Sequence, residues 1–211
     1  MGIFGGTFNP IHYGHLKAAE EVRKKCGLEK ILFVPSGNPP LKSQNLVEAK
    51  LRYEMTAIAV SSNSHFEVSD IETARSGKSY TVDTVSRLMR LYPKDELFLI
   101  LGIDAFLDLP LWRHPDKILS SINIIVITRP GLDISDINKS PYLLEAMAHR
   151  VKRQEHFELK LKNGGAAELI SVTPYAISST LIRKRIKENK AIRDFVPLKI
   201  AAYIKQNNLY Q

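Results

Sequence analysis

The sequence predicts an α/β fold, a central and mostly parallel sheet flanked by helices. Short apolar runs of strand length alternate with amphipathic stretches of helical period along most of the chain, the pattern of a parallel sheet wrapped by crossovers. Several of the apolar runs end in glycine, polar or charged residues, as happens where open α/β sheets hold ligands beyond their carboxyl ends. The 211 residues suit one domain with a continuous core, and 1–211 is read as one unit.

The first strand is expected to finish within residues 2–6, ahead of a helix over 16–25 that Gly27 stops. A second strand over 30–34 runs into Pro35-Ser36-Gly37-Asn38-Pro39-Pro40, which cannot be regular structure. Helical spacing returns over 48–60, a strand fits 66–71 and a helix fits 81–91. Strands are expected over 96–101, with Gly102 at its end and Asp104 just beyond, and over 121–128. Residues 131–165 lose the pattern and read as a peripheral, helix-leaning excursion. A last strand over 169–172 and helices over 178–188 and 197–206 close the chain.

No apolar run is long enough to span a bilayer and no secretory signal is visible at Met1-Gly2-Ile3-Phe4, so a cytoplasmic protein without a membrane partner is expected. A lone Cys26 leaves no intramolecular disulfide and no multi-cysteine zinc site, and suits a reducing compartment. The net charge of +8 is consistent with an anionic partner without choosing among nucleotides, nucleic acid and membrane. Its clusters, 23–25 and 183–190, could equally be solvated helix faces.

Chemistry concentrates first in Gly5-Gly6-Thr7-Phe8-Asn9-Pro10-Ile11-His12-Tyr13-Gly14-His15, at the predicted strand-to-helix junction. Glycines allow a tight turn and close approach of a ligand, while a helix start offers N–H groups and a positive dipole end to an anion. His12 and His15 are three apart, so they share a face if the helix has begun. A surface pair or capping residues would have the same spacing. No Gly-Lys-Ser/Thr follows, which excludes a Walker A loop, and the glycines do not form G-x-G-x-x-G. Near the other end stands Ile177-Ser178-Ser179-Thr180-Leu181-Ile182-Arg183. Its hydroxyls could simply cap a helix, or that helix start and Arg183 could hold phosphate oxygens.

The first stretch resembles the G-x-F-x-P-x-H-x-G-H signature of the nucleotidyltransferases related to class I aminoacyl-tRNA synthetases, met at Gly6, Phe8, Pro10, His12, Gly14 and His15. The second resembles their I-S-S-T-x-x-R motif. That resemblance implies a Rossmann-like nucleotidyltransferase fold in which the two motifs meet around the ATP triphosphate. Three features of the middle point to an acceptor. Gly102-Ile103-Asp104 with Trp112, and Tyr80-Thr81-Val82-Asp83-Thr84, resemble stretches of the nicotinate and nicotinamide mononucleotide adenylyltransferases. Pro39-Pro40-Leu41-Lys42 resembles their P-P-H-K loop, with Leu41 a departure.

The chain is thus similar to the bacterial nicotinate-nucleotide adenylyltransferases over nearly its whole length. The resemblance implies AMP transfer from ATP to nicotinate mononucleotide in NAD biosynthesis, by in-line attack without a covalent enzyme intermediate. His12, His15 and Arg183 would be catalytic. Gly5, Gly6, Thr7, Phe8, Gly14, Gly102, Asp104, Ile177, Ser178 and Ser179 would bind ATP. Lys42, Thr81 and Trp112 would bind the acceptor, with Arg52 and Arg129 as further phosphate contacts. Asp83 could only support the start of its helix, and Trp112 could simply pack in the core. Mg²⁺ would arrive with ATP, without a protein metal cluster.

Transferases acting on phosphopantetheine or glycerol phosphate would share the first signature, but not the Thr-x-Asp-Thr and Gly-x-Asp…Trp pairings. A nucleotide sensor that had lost its chemistry would be expected to lose His15 or Arg183, and both are present. A nucleic-acid partner is not expected, because no K-M-S-K-S-like motif is present. Nicotinamide in place of nicotinate stays open, since backbone donors can make that choice. The oligomeric state is equally open, and a homodimer is admitted.

Overall fold

A computed structural model describes residues 1–40, 45–128, 134–145 and 156–211. One seven-stranded sheet runs through it in the order β3-β2-β1-β4-β5-β7-β6. The strands are β1 (Gly2–Gly6), β2 (Ile31–Pro35), β3 (Phe66–Val68), β4 (Phe98–Gly102), β5 (Asn123–Ile127), β6 (His156–Lys160) and β7 (Ala166–Ile170). All pairings are parallel except β6 with β7. The helices are α1 (Tyr13–Lys25), α2 (Ala49–Val60), α3 (Thr81–Leu91), α4 (Ile103–Leu107), α5 (Pro115–Ser121), α6 (Ser179–Lys187) and α7 (Leu198–Gln206). This is the mostly parallel sheet that the alternating pattern predicts, in the Rossmann-like arrangement that the resemblance implies.

The inner strands read as continuous apolar runs because both faces of the sheet are covered. Side chains alternate between those faces. Ile3, Leu32, Leu99 and Val126 enter a core with α3, α4 and α5, while Phe4, Phe33, Ile100 and Ile125 enter another with α1, α2, α6 and α7. Each core therefore needs every inner strand, and burial of these side chains is what holds the strand ends in place.

Four predicted elements shift. The first helix begins at Tyr13 rather than residue 16. The third strand stops at Val68, where the Ser69 hydroxyl accepts the Ile71 amide at 3.3 Å and turns the chain. The last apolar run pairs over Ala166–Ile170, somewhat before 169–172. The described part of the excursion holds a short 3-10 helix over Ile134–Lys139, as its helical leaning suggests, and also an antiparallel edge strand, β6, in which Leu159 of His-Phe-Glu-Leu-Lys is buried between exposed neighbours. The α5 helix was not anticipated, although Pro115 at its first turn is a start signal.

The carboxyl ends of the parallel strands share one edge. From β1 the chain crosses to β2 and β3 on one side, and later continues through β4 and β5 on the other. The winding reverses between β1 and β4, where such sheets open a crevice.

Candidate active site

At that reversal stands the first signature. Strand β1 ends at Gly6, and the chain then passes through Phe8 with φ at 44°, a left-handed conformation that costs a bulky residue strain. Burial pins Phe8 there, at 2% exposure. Gly6 has to be small because a Cβ would lie 2.9 Å from the Phe8 ring, whereas one on Gly5 would meet nothing within 4 Å. Turning this tightly places His12 as the cap of α1.

His12 thus lies just outside the helix, yet its ring still stacks on that of His15, with centroids 3.6 Å apart and planes at 23°. The His12 amide donates to Nδ1 of His15 at 3.3 Å, which puts the proton of a neutral His15 ring on Nε2. The Phe8 and Phe4 rings meet His15 edge-on at 5.1 and 6.4 Å and restrict its tilt. One expectation is corrected here: the first amide of α1, on Tyr13, donates to the Phe195 carbonyl at 2.9 Å. That one amide is used inside the protein and is not offered to an anion.

The second motif docks directly on this turn. Ser178 caps α6 by accepting the Leu181 amide at 3.1 Å. Ser179 donates its hydroxyl to the Pro10 carbonyl at 2.9 Å, and Arg183 donates Nη1 to the Asn9 carbonyl at 2.8 Å. A Cβ on Gly14 would approach His12 Nδ1 to 3.0 Å and the Ile177 carbonyl to 3.6 Å. Gly14 therefore leaves room for the His12 ring, and the Ile177 carbonyl of the second motif, 163 positions further along the chain, would be in ordinary contact with such a Cβ. Arg183 also donates Nη2 to the Thr180 hydroxyl at 3.2 Å. Two of the five N–H donors of a guanidinium thus orient the group.

Gly102 closes β4 next to β1 and caps α4, with half-buried Asp104 in the first turn of that helix. Both lie at the same edge as the histidine turn. Thr81 opens α3, and the Arg113 guanidinium sits 4.8 Å from the centre of the Tyr80 ring, bringing the segment after Trp112 against that helix start. Trp112 is half-buried against the core, which combines the packing role with a remaining exposed part. Asp83 is exposed in the first turn of α3, 4.0 Å from Arg75. Lys42, Leu41 and Arg129 lie outside the described residues.

Arg52 is placed differently from the expectation of a phosphate contact. It is 1% exposed and donates to the carbonyls of Thr7, Gly37 and Val47. Burial lowers its pKa, opposed by Tyr210 and by the carboxylate of Glu72. Asn9 and Tyr210 were not singled out from the sequence. The Asn9 side chain is buried within the signature and accepts the Tyr210 hydroxyl at 2.9 Å. Burial pushes that phenol above its ordinary range, against the pull of Arg183 and Arg52. An asparagine at an unspecified position of the signature carries no distinctive spacing, and no motif links it with a tyrosine 201 positions away.

Among the described residues no group of three or more His, Cys, Asp or Glu side chains could hold a metal ion, and no helix is long and apolar enough to cross a membrane. Imidazole, hydroxyl and guanidinium donors dominate the turn, a set suited to phosphate oxygens.

The sequence pattern of the cytidylyltransferase-like family matches residues 3–185. A probable nicotinate-nucleotide adenylyltransferase of Desulfitobacterium hafniense is 42% identical over 212 residues, covering 100% of this chain and 95% of that protein. One from Clostridium acetobutylicum is 41% identical, covering 99% and 97%. Among solved structures, Plasmodium falciparum nicotinic acid mononucleotide adenylyltransferase complexed with NaAD superposes with a TM-score of 0.74 at 23% identity, covering 99% of this chain and 96% of that one. At that identity it is the fold that is alike.

Proposed function

The chain belongs to the nicotinate-nucleotide adenylyltransferase family of nucleotidyltransferases, and on that premise we propose that it transfers AMP from ATP to nicotinate mononucleotide, giving nicotinate adenine dinucleotide and pyrophosphate. The observation that carries the reading is the docking of Ser179 and Arg183 on the carbonyls of Pro10 and Asn9, beside the stacked imidazoles. It gathers two helix entries and a guanidinium around one place that suits a triphosphate. The continuous sheet supports treating the chain as a single catalytic unit, with the strand β6 at its edge.

A mononucleotide phosphate is already an anionic oxygen nucleophile at neutral pH, so the protein need supply neither base nor covalent nucleophile. Attack in line on the α-phosphorus forms the new phosphorus–oxygen bond as the bond to the β-phosphate oxygen breaks. The bonding pair leaves on pyrophosphate. The task of the site is to hold two polyanions in line and to receive that charge. His12, His15 and Arg183 meet the triphosphate oxygens. The turn over Gly5, Gly6, Thr7 and Phe8, together with Gly14, Ile177, Ser178 and Ser179, shapes the phosphate cradle. Gly102 and Asp104 take the adenosine ribose, where a carboxylate past a strand end can accept its hydroxyls. On the acceptor side Lys42 meets phosphate, while Thr81 and the exposed part of Trp112 meet the pyridine ring. Mg²⁺ would arrive with ATP and would offset charge on its phosphates, without a protein carboxylate cluster to hold it among the described residues.

The test is pyrophosphate release from MgATP with nicotinate mononucleotide, run in parallel with nicotinamide mononucleotide and pantetheine phosphate. Nicotinate mononucleotide is expected to be the preferred acceptor, and His15→Ala is expected to lower kcat by about 100-fold or more while the chain stays folded. Turnover with pantetheine phosphate alone would refute the acceptor, and full activity of folded His15→Ala would refute the role of the imidazole.

A further inference from the structure

The loops leaving β1 and β2 emerge side by side, since the strands pair with Gly6 opposite Pro35. The Ser36 amide continues that pairing by one bond, to the Gly6 carbonyl at 2.8 Å. Beyond it the two loops diverge, and two buried polar side chains tie them together. Arg52 reaches Thr7 in the first loop at 2.7 Å, Gly37 in the second at 2.9 Å and Val47, ahead of α2, at 2.8 Å, in each case through the main-chain carbonyl. Asn9 accepts the Val47 amide at 3.2 Å and donates to the Asn45 carbonyl at 2.8 Å. Val47 is thus held by both of its main-chain groups, the amide by Asn9 and the carbonyl by Arg52.

We propose that Asn9 and Arg52 form a positioning pair for the transfer reaction, setting the place of Gly37 and of the 45–47 segment relative to the histidine turn. The proposal rests on the preceding reading, in which the first loop serves ATP and the second the acceptor. Neither side chain needs to touch substrate. Asn9 is 4% exposed and Arg52 1%, and apart from the Tyr210 hydroxyl that Asn9 accepts, their side-chain bonds run to main chain of these two loops. A planar guanidinium can satisfy three carbonyls pointing from three directions, whereas an ammonium acts as a point donor on a flexible stem. Burying such a cation is costly unless its donors are met. An apolar residue would fill the same volume without that cost but would not fix two loops against each other. The Asn9 carbonyl is also the acceptor of Arg183. The same residue therefore ties the turn to the phosphate-binding helix and to the second loop.

The test uses the whole chain with Arg52→Lys, Asn9→Ala and the double variant, alongside thermal melting. Each single variant is expected to lower kcat/KM for the mononucleotide by about 10- to 100-fold, the loss expected when reacting groups are misplaced by around 1 Å. Because both act through Val47, the double variant should lose much less than the product of the two single losses. A turnover-free reading comes from amide hydrogen exchange. A non-hydrolysable ATP analogue is expected to slow exchange of the Val47 amide about tenfold in the wild type and to lose that effect in each variant. Folded variants with unchanged kcat/KM, or an analogue that leaves Val47 exchange unaltered in the wild type, would overturn the pair. Wild-type protein inactive on the mononucleotide but showing analogue protection that the variants lose would count against the acceptor and for the coupling of the loops.

Discussion

Gly14→Ala separates the stability of the first helix from the placement of its histidine. Gly14 is the second residue of α1, where alanine favours helix by up to about 1 kcal/mol over glycine. The added methyl would sit 3.0 Å from His12 Nδ1 and 3.1 Å from Cε1, short of an ordinary carbon contact by roughly 0.4 Å. The Ile177 carbonyl, at 3.6 Å, would be in normal contact. Relief must come from the His12 ring, and that ring is already stacked on His15 at 3.6 Å. Overpacking of this kind costs about 1–3 kcal/mol, less where one ring can tilt, so the helix gain offsets much of it. For a chain of this size a net change of about 1 kcal/mol moves Tm by roughly 2–4 °C. Activity should respond more strongly: a displacement of some tenths of an ångström at an imidazole proposed to meet the triphosphate should lower kcat by about 10- to 100-fold. Thermal melting and pyrophosphate release with saturating MgATP measure the two. A folded variant with kcat within about threefold of wild type, roughly 0.6 kcal/mol, would refute the claim that His12 must lie where Gly14 leaves room for it.

A second perturbation at a glycine should behave in the opposite way. A Cβ on Gly37 would lie 2.3 Å from the Glu72 carbonyl oxygen and 2.9 Å from the Ser79 hydroxyl, and main chain cannot swing aside, so Gly37→Ala should cost about 3 kcal/mol or more and lower Tm by roughly 6 °C or more; a shift under about 2 °C in a melting curve would contradict that approach. Burial, with Glu168 beside it, pushes the Cys26 thiol up to about 11. Its thiolate fraction is therefore small at pH 8, on the order of one in a thousand, and grows as pH rises towards 11. Alkylation should accelerate steeply over that range, and reaction at the rate of an ordinary exposed cysteine at pH 8 would refute the assignment.

The parts legible in the sequence were those with a period or a fixed spacing. Thr81–Leu91 was bounded correctly because its apolar positions recur on one face and Tyr92-Pro93 ends it. The two motifs were legible because their residue types are tied to phosphate chemistry at fixed offsets, and the structure brings them together at Pro10 and Ser179. The α5 helix is only seven residues long, too short for periodicity to stand out, and β6 is an edge strand whose exposed positions look like loop. Arg52 illustrates a different limit. A cation near two loops reads as a phosphate ligand until burial is known, and its three main-chain acceptors belong to residues whose identities leave no trace. The Tyr80–Arg113 contact that draws the Trp112 segment towards Thr81 depends likewise on tertiary placement.

That limit has a physical reason in the reaction itself. If the transfer runs as proposed, with no protein nucleophile and no base, positioning is the main way to lower its barrier. Positioning donors need little from residue identity beyond a few imidazoles and one guanidinium, but they need loops held to a fraction of an ångström. Loops lack the ladder that holds strands, so their rigidity must come from side chains that bond to main chain. In this chain those side chains are Arg52 on three carbonyls, Asn9 on Asn45 and Val47, and Ser179 on Pro10. Tyr210, near the far end of the chain, joins them by donating to Asn9. Such bonds stabilise modestly on average, about 1 kcal/mol each, and their removal from a buried site leaves unpaired groups that cost more. Disturbing the bonds of Arg52, Asn9 and Ser179 should therefore impair turnover more than it unfolds the sheet, whose two apolar cores are built from other side chains.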